Sequence, residues 1–265
     1  MTKLDHLKSI LMKLDGILVA FSGGVDSSLL LRIAQEVKPD RVEAVIFDLD
    51  SFPSKELESA KELAILLKVP HMILKVSEFD IPEFSENSPD RCYYCKKELF
   101  TRAKLVMVEK GLNEIVEGTN ADDINDFRPG TRAVKELRVR SPLQEAGLTK
   151  MEIRELSRDY QLPNWDRPSF ACLASRFPYG TRITKEGLVR VEAGEKLLHE
   201  LGFNQFRLRD HGPVVRIEVE LVQIEKVLQN KQRIVAYLKN LGYQYICYDL
   251  EGYRTGSMNE LLKST

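Results

Sequence analysis

The chain has 265 residues, enough at about 100 to 200 per domain for one large domain with an appendage or for two domains around a sizeable core. Charged residues make up 30% and hydrophobic residues 43%, the balance of a soluble globular protein, and no apolar run approaches the roughly 20 residues that cross a bilayer, so no membrane partner is expected. With 39 basic and 40 acidic residues the net charge is −1, which removes the general electrostatic footprint of a nucleic-acid binder while leaving room for a local basic patch.

The opening Met1-Thr2-Lys3-Leu4-Asp5-His6 carries no apolar export signal, so a cytoplasmic protein is expected, with four reduced cysteines that suggest metal or chemistry before disulfides. Leu4, Leu7, Ile10, Leu11 and Leu14 recur at helical spacing and predict a short amphipathic helix. An apolar run from Ile17 to Phe21 then enters Ser22-Gly23-Gly24-Val25-Asp26-Ser27-Ser28, after which Leu29, Leu30, Leu31 and Ile33 continue as a buried helix. The two glycines open backbone conformations closed to other residues, and a helix starting near Ser27 aims free N–H groups and a partial positive charge at the turn. This stretch is an anion cradle, yet the G-x-x-x-x-G-K-[ST] pattern with its phosphate-binding lysine is absent.

Strands are predicted over 42–47 and 72–76, with a helix over 54–67 between them. The alternation argues for an α/β fold with a doubly wound parallel sheet, whose ligands gather at the carboxyl ends of the strands. Residues 79–89 turn to Pro, Ser, Glu and Asn and read as an exposed loop, followed by Arg91-Cys92-Tyr93-Tyr94-Cys95-Lys96 and a helix over 97–110. A short strand over 114–117 opens onto Gly118-Thr119-Asn120-Ala121-Asp122-Asp123, where the two aspartates either cap the loop or serve a nucleotide and its metal. Thr149 and Glu152 stand in capping-box spacing at the head of a helix over 149–160. The chain is then irregular through Pro163, Trp165, Pro168 and the segment 169–180, which contains Cys172. Placing the boundary there gives domains 1–180 and 181–265, the second a smaller α+β unit with helices over 185–201 and 222–241 and strands over 205–209, 214–219 and 243–248.

Ser-Gly-Gly-Val-Asp-Ser at 22–27 resembles the PP-loop of the ATP pyrophosphatases, which grips the two phosphates that leave as pyrophosphate while AMP passes to the substrate. Together with Arg-Cys-Tyr-Tyr-Cys-Lys at 91–96, Gly-Thr-Asn-Ala-Asp-Asp at 118–123 and Ala-Cys-Leu-Ala-Ser-Arg at 171–176, it makes most of the chain similar to the LarE family within that superfamily. The resemblance implies an adenine nucleotide alpha hydrolase-like domain that binds ATP through Ser22, Gly23, Gly24, Asp26, Ser27 and Ser28, with Asp26 a partner for Mg2+ because a hard cation prefers carboxylate and phosphate oxygens. It also implies conversion of the carboxylates of pyridinium-3,5-biscarboxylic acid mononucleotide to thiocarboxylates during synthesis of the nickel-pincer cofactor. A small-molecule substrate, sulfide or another sulfur donor, and a homo-oligomer are then the expected partners.

Cys172 matches the family's sulfur cysteine, which some members sacrifice to dehydroalanine, but those members lack the Cys92 and Cys95 pair. Three-cysteine members imply a 4Fe-4S cluster on Cys92, Cys95 and Cys172, with one iron open to carry sulfide. The residues alone leave open a zinc site, for which only His71 or His211 is an obvious fourth ligand, and unligated thiols. Cys247, in an apolar strand, is expected to be an ordinary buried cysteine. Arg207 and Arg209, two apart on one strand, face the same side and could converge on an anion, where the resemblance implies the mononucleotide's phosphate; a solvated strand face is the alternative. A tRNA-thiolating PP-loop enzyme and an ammonia-using amidase or synthetase are the competing functions. The near-neutral charge speaks against the first, and the lack of an obvious glutaminase domain against the second.

Overall fold

A computed structural model describes residues 1–125, 129–168, 171–254 and 256–257, and these divide into two compact units. The first comprises Met1–Ile81 with Asp90–Phe170, the second Pro82–Pro89 with Ala171–Thr265. The second unit thus begins at Ala171, ahead of the expected 180/181 boundary, and takes in an earlier stretch of chain. The reason is local: Asn87, buried with φ at 57°, donates from Nδ2 to the carbonyls of Phe177 and Pro178, while the Ile183 N–H donates to Ser85 at 2.8 Å.

The first unit runs α1 (Lys3–Met12), β1 (Ile17–Ala20), α2 (Val25–Val37), β2 (Val42–Leu49), α3 (Ser54–Leu66) and β3 (His71–Val76). After α4 (Pro82–Ser85), which belongs to the second unit, it continues with α5 (Arg91–Glu109), β4 (Glu114–Val116), α6 (Gly130–Glu136), α7 (Pro142–Glu145) and α8 (Lys150–Asp159). Its sheet is parallel throughout in the order β3-β2-β1-β4, with Ile17 opposite both Val42 and Glu114. Successive strand side chains point to opposite faces, so one strand serves two cores. Ile17 and Val19 pack with residues of α1, α2 and α3, whereas Leu18 packs with Phe100, Ala103 and Val106 of α5 and Val134 of α6. This is the doubly wound arrangement expected from the alternation of strands and helices. It places the glycine turn at the carboxyl end of central β1, where the Phe21 N–H still pairs with the Val45 carbonyl at 2.9 Å.

Helix α5 starts at Arg91, six residues ahead of the expected start at 97, which puts Cys92 and Cys95 inside its first two turns. The second unit contains α9 (Lys185–Glu200), β5 (Phe206–His211), β6 (Val214–Val219), α10 (Ile224–Gln229), α11 (Lys231–Asn240) and β7 (Tyr245–Tyr248). β5 and β6 are antiparallel and β6 and β7 parallel. The single helix expected over 222–241 is broken at Asn230, between α10 and α11. Gly194 lets α9 lie close on the sheet, since a Cβ there would fall 2.6 Å from Leu208 Cδ1. Cys247 is exposed, against expectation: β7 pairs only with β6, and the period of two turns Tyr245 and Cys247 outward while Ile246 and Tyr248 are half-buried. Among the described residues no helix is long and apolar enough to cross a membrane.

Candidate active site

In the first unit the turn between β1 and α2 is built to be bare. Gly23 has φ at 72°, and a Cβ on it would sit 2.9 Å from the Ala60 Cβ of α3, so both conformation and space demand glycine. Gly24 caps α2 without any side-chain bond. Among the described residues the backbone N–H groups of Gly23, Val25, Asp26 and Ser27 meet no acceptor. Orphan donors at a helix start, with the positive end of its dipole, are what an oligophosphate binds. Gly118, two residues after β4, is constrained by space alone: a Cβ would lie 3.0 Å from Ser27 N.

The serines divide into two roles. Ser22 and Ser27 hydroxyls lie 3.2 Å apart at the turn, and Ser27 Oγ donates to the Gly24 carbonyl at 3.1 Å. Ser28, expected at the nucleotide, is fully buried with its hydroxyl donated to Gly24 O at 2.8 Å, so it supports the loop from beneath. Asp26 Oδ1 accepts from Asn120 Nδ2 at 3.3 Å, and its Oδ2 is ion-paired with Lys150 Nζ. Both aspartates of the 118–123 turn bond backbone: Asp123 accepts from Asn120 N at 3.0 Å and Asp122 from Lys150 N at 2.8 Å. That is the loop-capping alternative of the two considered for them.

Neither Lys150 nor Asn120 was legible as a site residue. Lys150 opens a helix that the capping box locates, but nothing in its spacing says that it meets a carboxylate 124 residues earlier. Glu117 was missed as well. Although burial pushes its pKa up, the Lys96 ammonium at 3.3 Å and hydrogen bonds from Ser141 and Thr119 outweigh that and hold it below the ordinary range.

Cys92 and Cys95 lie three apart on α5, the first exposed and the second half-buried, with the Cys95 thiol donating to Glu78 Oε1 at 3.3 Å. Burial raises the Glu78 pKa against the lowering effect of Ser51 and Cys95. No cysteine is in a disulfide, and among the described residues no group of three or more His, Cys, Asp or Glu is placed to hold a metal ion.

In the second unit Cys172 precedes a 3₁₀ turn over Leu173–Arg176, and two buried arginines fix that turn. Arg176 forms a fork with Glu195 at 2.8 and 2.9 Å and donates from Nη1 to the carbonyls of Ala171 and Cys172. Arg209 forms a second fork with fully buried Glu218 at 2.9 and 2.8 Å and donates to the carbonyl of Ser175 and the hydroxyl of Ser257. Arg207 differs from both. It lies over the Tyr253 ring at 5.1 Å and, among the described residues, makes no ion pair, while burial and then the Arg176 charge press its pKa down. Of the two arginines expected to converge on an anion, Arg209 is already neutralised, whereas Arg207 donates to the Phe206 carbonyl at 2.6 Å and has no ion-pair partner among the described residues.

A doubly wound parallel sheet whose first strand ends in Ser-Gly-Gly-Val-Asp-Ser, with unpaired N–H groups at the start of the next helix and an aspartate beside them, defines a PP-loop ATP-utilising domain. The family of the queuosine biosynthesis protein QueC matches residues 16–88, the stretch that carries this loop. Over 262 residues the chain is 36% identical to the pyridinium-3,5-bisthiocarboxylic acid mononucleotide synthase of Lactiplantibacillus plantarum, covering 98% of this chain and 95% of that one. It is 38% identical over 98% of both chains to an uncharacterized protein of Synechocystis sp., and 31% identical to one of Methanocaldococcus jannaschii over 90% of this chain and 91% of that one. The chain belongs to the LarE family of ATP-dependent sulfurtransferases.

Proposed function

We propose that the protein activates the carboxylates of pyridinium-3,5-biscarboxylic acid mononucleotide with ATP and replaces them with thiocarboxylates, a step in making the nickel-pincer cofactor. What carries the reading is the bare anion cradle at 23–27, in a chain with end-to-end likeness to a synthase of the bisthiocarboxylic product. A carboxylate is a poor electrophile with a poor leaving group, so sulfur cannot displace its oxygen directly. Attack of a carboxylate oxygen on the α-phosphorus of ATP forms an acyl adenylate, and the bond to the bridging oxygen breaks to release pyrophosphate. The N–H groups of Gly23, Val25, Asp26 and Ser27 receive the charge that develops there, and a donor so placed is worth about 10²- to 10³-fold in rate. A sulfur nucleophile then attacks the carbonyl carbon, and AMP leaves with the original carboxylate oxygen.

Asp26 is the residue that would hold Mg2+, its carboxylate being partly exposed at the loop; the ion supplies charge neutralisation of the phosphates. Lys150 then serves as the loop's cation from outside the motif, in place of the lysine that the commoner phosphate loop carries within it. Arg207 would bind the mononucleotide phosphate, with Arg209 holding the turn of Cys172 beside it. For sulfur, the donor set of Cys92, Cys95 and Cys172 suits a 4Fe-4S cluster in its thiolate chemistry and in the spacing of the first two on one helix face, and such a cluster would supply an open iron for sulfide. The described side chains are not gathered into a metal site, and no step here depends on the cluster. The setting we propose is the cytoplasm, as a homo-oligomer, with sulfide or another small sulfur donor and without nucleic acid.

The test is product stoichiometry in the full chain supplied anaerobically with ATP, Mg2+, sulfide and the biscarboxylic mononucleotide. One pyrophosphate and one AMP should accompany each thiocarboxylate, with no pyrophosphate when the mononucleotide is left out. Formation of ADP and phosphate, or pyrophosphate release that ignores the mononucleotide, would overturn the reading.

A further inference from the structure

The anion cradle works only if the carbonyl oxygens of its own glycines are kept out of it. A peptide unit is planar and trans, so its C=O and N–H point in opposite directions, and whatever fixes the oxygen aims the hydrogen. Asn164, five residues beyond α8 and buried, supplies that fixing group. Its Nδ2 donates to the Gly23 carbonyl at 2.8 Å and to Ser28 Oγ at 2.9 Å. The amide orientation follows from chemistry, because a carbonyl oxygen can only accept and Nδ2 is the only donor on the side chain. Ser28 passes the constraint on, giving its own hydrogen to the Gly24 carbonyl at 2.8 Å. The amide thus holds the Gly23 carbonyl directly and braces Ser28, one of three donors on the Gly24 carbonyl with Ser27 Oγ at 3.1 Å and the Ser28 N–H at 2.9 Å. The Gly24 N–H lies on the other side of its peptide, toward Ser22 Oγ at 3.4 Å.

Asn164 does this at its own expense. Its Oδ1 is buried with no hydrogen-bond partner among the described residues, an arrangement that is unfavourable in itself and calls for an explanation outside local packing. The residue also stands in the wall of a cleft of about 560 Å³ that reaches Gly23, between Ser59, Glu62 and Leu63 of α3 and the segment 163–168. A side chain that merely filled this wall could be apolar. We propose that Asn164 is a positioning residue for pyrophosphate departure: it holds the Gly23 carbonyl out of the cradle and braces Ser28 on the Gly24 carbonyl, whose peptide carries the Val25 N–H toward the leaving phosphates. The proposal rests on the ATP-pyrophosphatase reading of the loop and adds a residue 141 positions away from it.

The experiment measures binding, not turnover. Pyrophosphate and AMP, each with Mg2+, are titrated calorimetrically into the full chain and into Asn164→Ala, Asn164→Asp and Ser28→Ala, with thermal melts of all four. Asn164→Ala should weaken pyrophosphate about tenfold, the worth of one well-placed hydrogen bond, and leave AMP affinity unchanged. Asn164→Asp keeps the shape but sets an acceptor against the Gly23 carbonyl, so it should weaken pyrophosphate further. Ser28→Ala, which leaves the Gly23 bond intact, should fall between wild type and Asn164→Ala. Equal losses of pyrophosphate and AMP affinity, or unchanged pyrophosphate affinity in a folded Asn164 variant, would overturn the positioning role. If Asn164→Ala fails to fold, the near-isosteric Asn164→Asp decides by the same split. Failure of the wild type itself to bind pyrophosphate would instead remove the reading of the loop on which the proposal stands.

Discussion

The two regions proposed to bind anions are built by opposite means. The PP-loop carries no cation of its own: it offers backbone N–H groups on glycine and helix start, and its nearest ammonium, Lys150, is already engaged with Asp26. The arginine region of the second unit is built from cations, yet Arg176 is forked onto half-buried Glu195 and Arg209 onto buried Glu218, whereas Arg207 makes no ion pair among the described residues. A loop that must release its pyrophosphate gains from many weak donors fixed in advance. A substrate phosphate that stays through the reaction would, on the proposed reading, be served by one desolvated guanidinium.

That contrast predicts which substitutions lose chemistry and which lose the fold. Asp26→Ala should reduce pyrophosphate release by about 10²- to 10³-fold with the far-ultraviolet spectrum unchanged, because Asp26 stands partly exposed beside the unpaired N–H groups and not in a core. Turnover of ATP at the wild-type rate in that folded variant would remove the loop from the mechanism. Arg209→Ala should act on stability, by about 3–5 kcal/mol in urea unfolding, since it abandons the charge of Glu218 at 0% exposure. Arg207→Ala should leave the unfolding midpoint in place and raise the KM for the mononucleotide by about 10- to 100-fold, a loss of about 1.4 to 2.8 kcal/mol, with ATP affinity intact. If the two arginines exchange these phenotypes, the division between held and free charge is wrong.

Smaller effects sharpen the picture of the loop's surroundings. Gly118→Ala pushes a methyl toward Ser27 N at 3.0 Å and should weaken pyrophosphate binding about tenfold, with little change in melting temperature. Glu117 gives a test by pH. Its folded pKa is lowered, so its stabilising contribution is present above the unfolded value of about 4.3 and is lost as pH falls through the folded value. Glu117→Gln should therefore be less stable than wild type by about 1–2 kcal/mol at neutral pH. It should also lose less on acidification below about pH 4.3, so that the two stability curves approach each other.

The regions also differ in how far the sequence disclosed them. The PP-loop is contiguous, and its glycines, its helix start and its place after an apolar strand are all local signals, so its position at the end of β1 could be read directly. The helix of Cys92 and Cys95 was legible in kind but not in extent, because Tyr93, Tyr94 and two cysteines lack the apolar period that marks a helix. Arg207 and Arg209 were visible as a pair on one strand, but their difference rests on Glu218 across the β5–β6 pairing, which i and i+2 spacing cannot report. Asn164 and Lys150 lay beyond reach for the same reason: each meets the loop across more than a hundred residues of chain. Cys247 was misread as core because apolar neighbours in sequence do not tell a central strand from one with a single partner.

The central claim is that activation belongs to the PP-loop and sulfur delivery to the cysteines, as separable steps. It is tested most directly by following pyrophosphate and thiocarboxylate together in Cys172→Ala, supplied anaerobically with ATP, Mg2+, sulfide and the biscarboxylic mononucleotide. The account predicts that pyrophosphate is released at close to the wild-type rate in the first turnover while no thiocarboxylate forms. Thiocarboxylate produced without Cys172, or pyrophosphate release lost along with it in a folded protein, would contradict it.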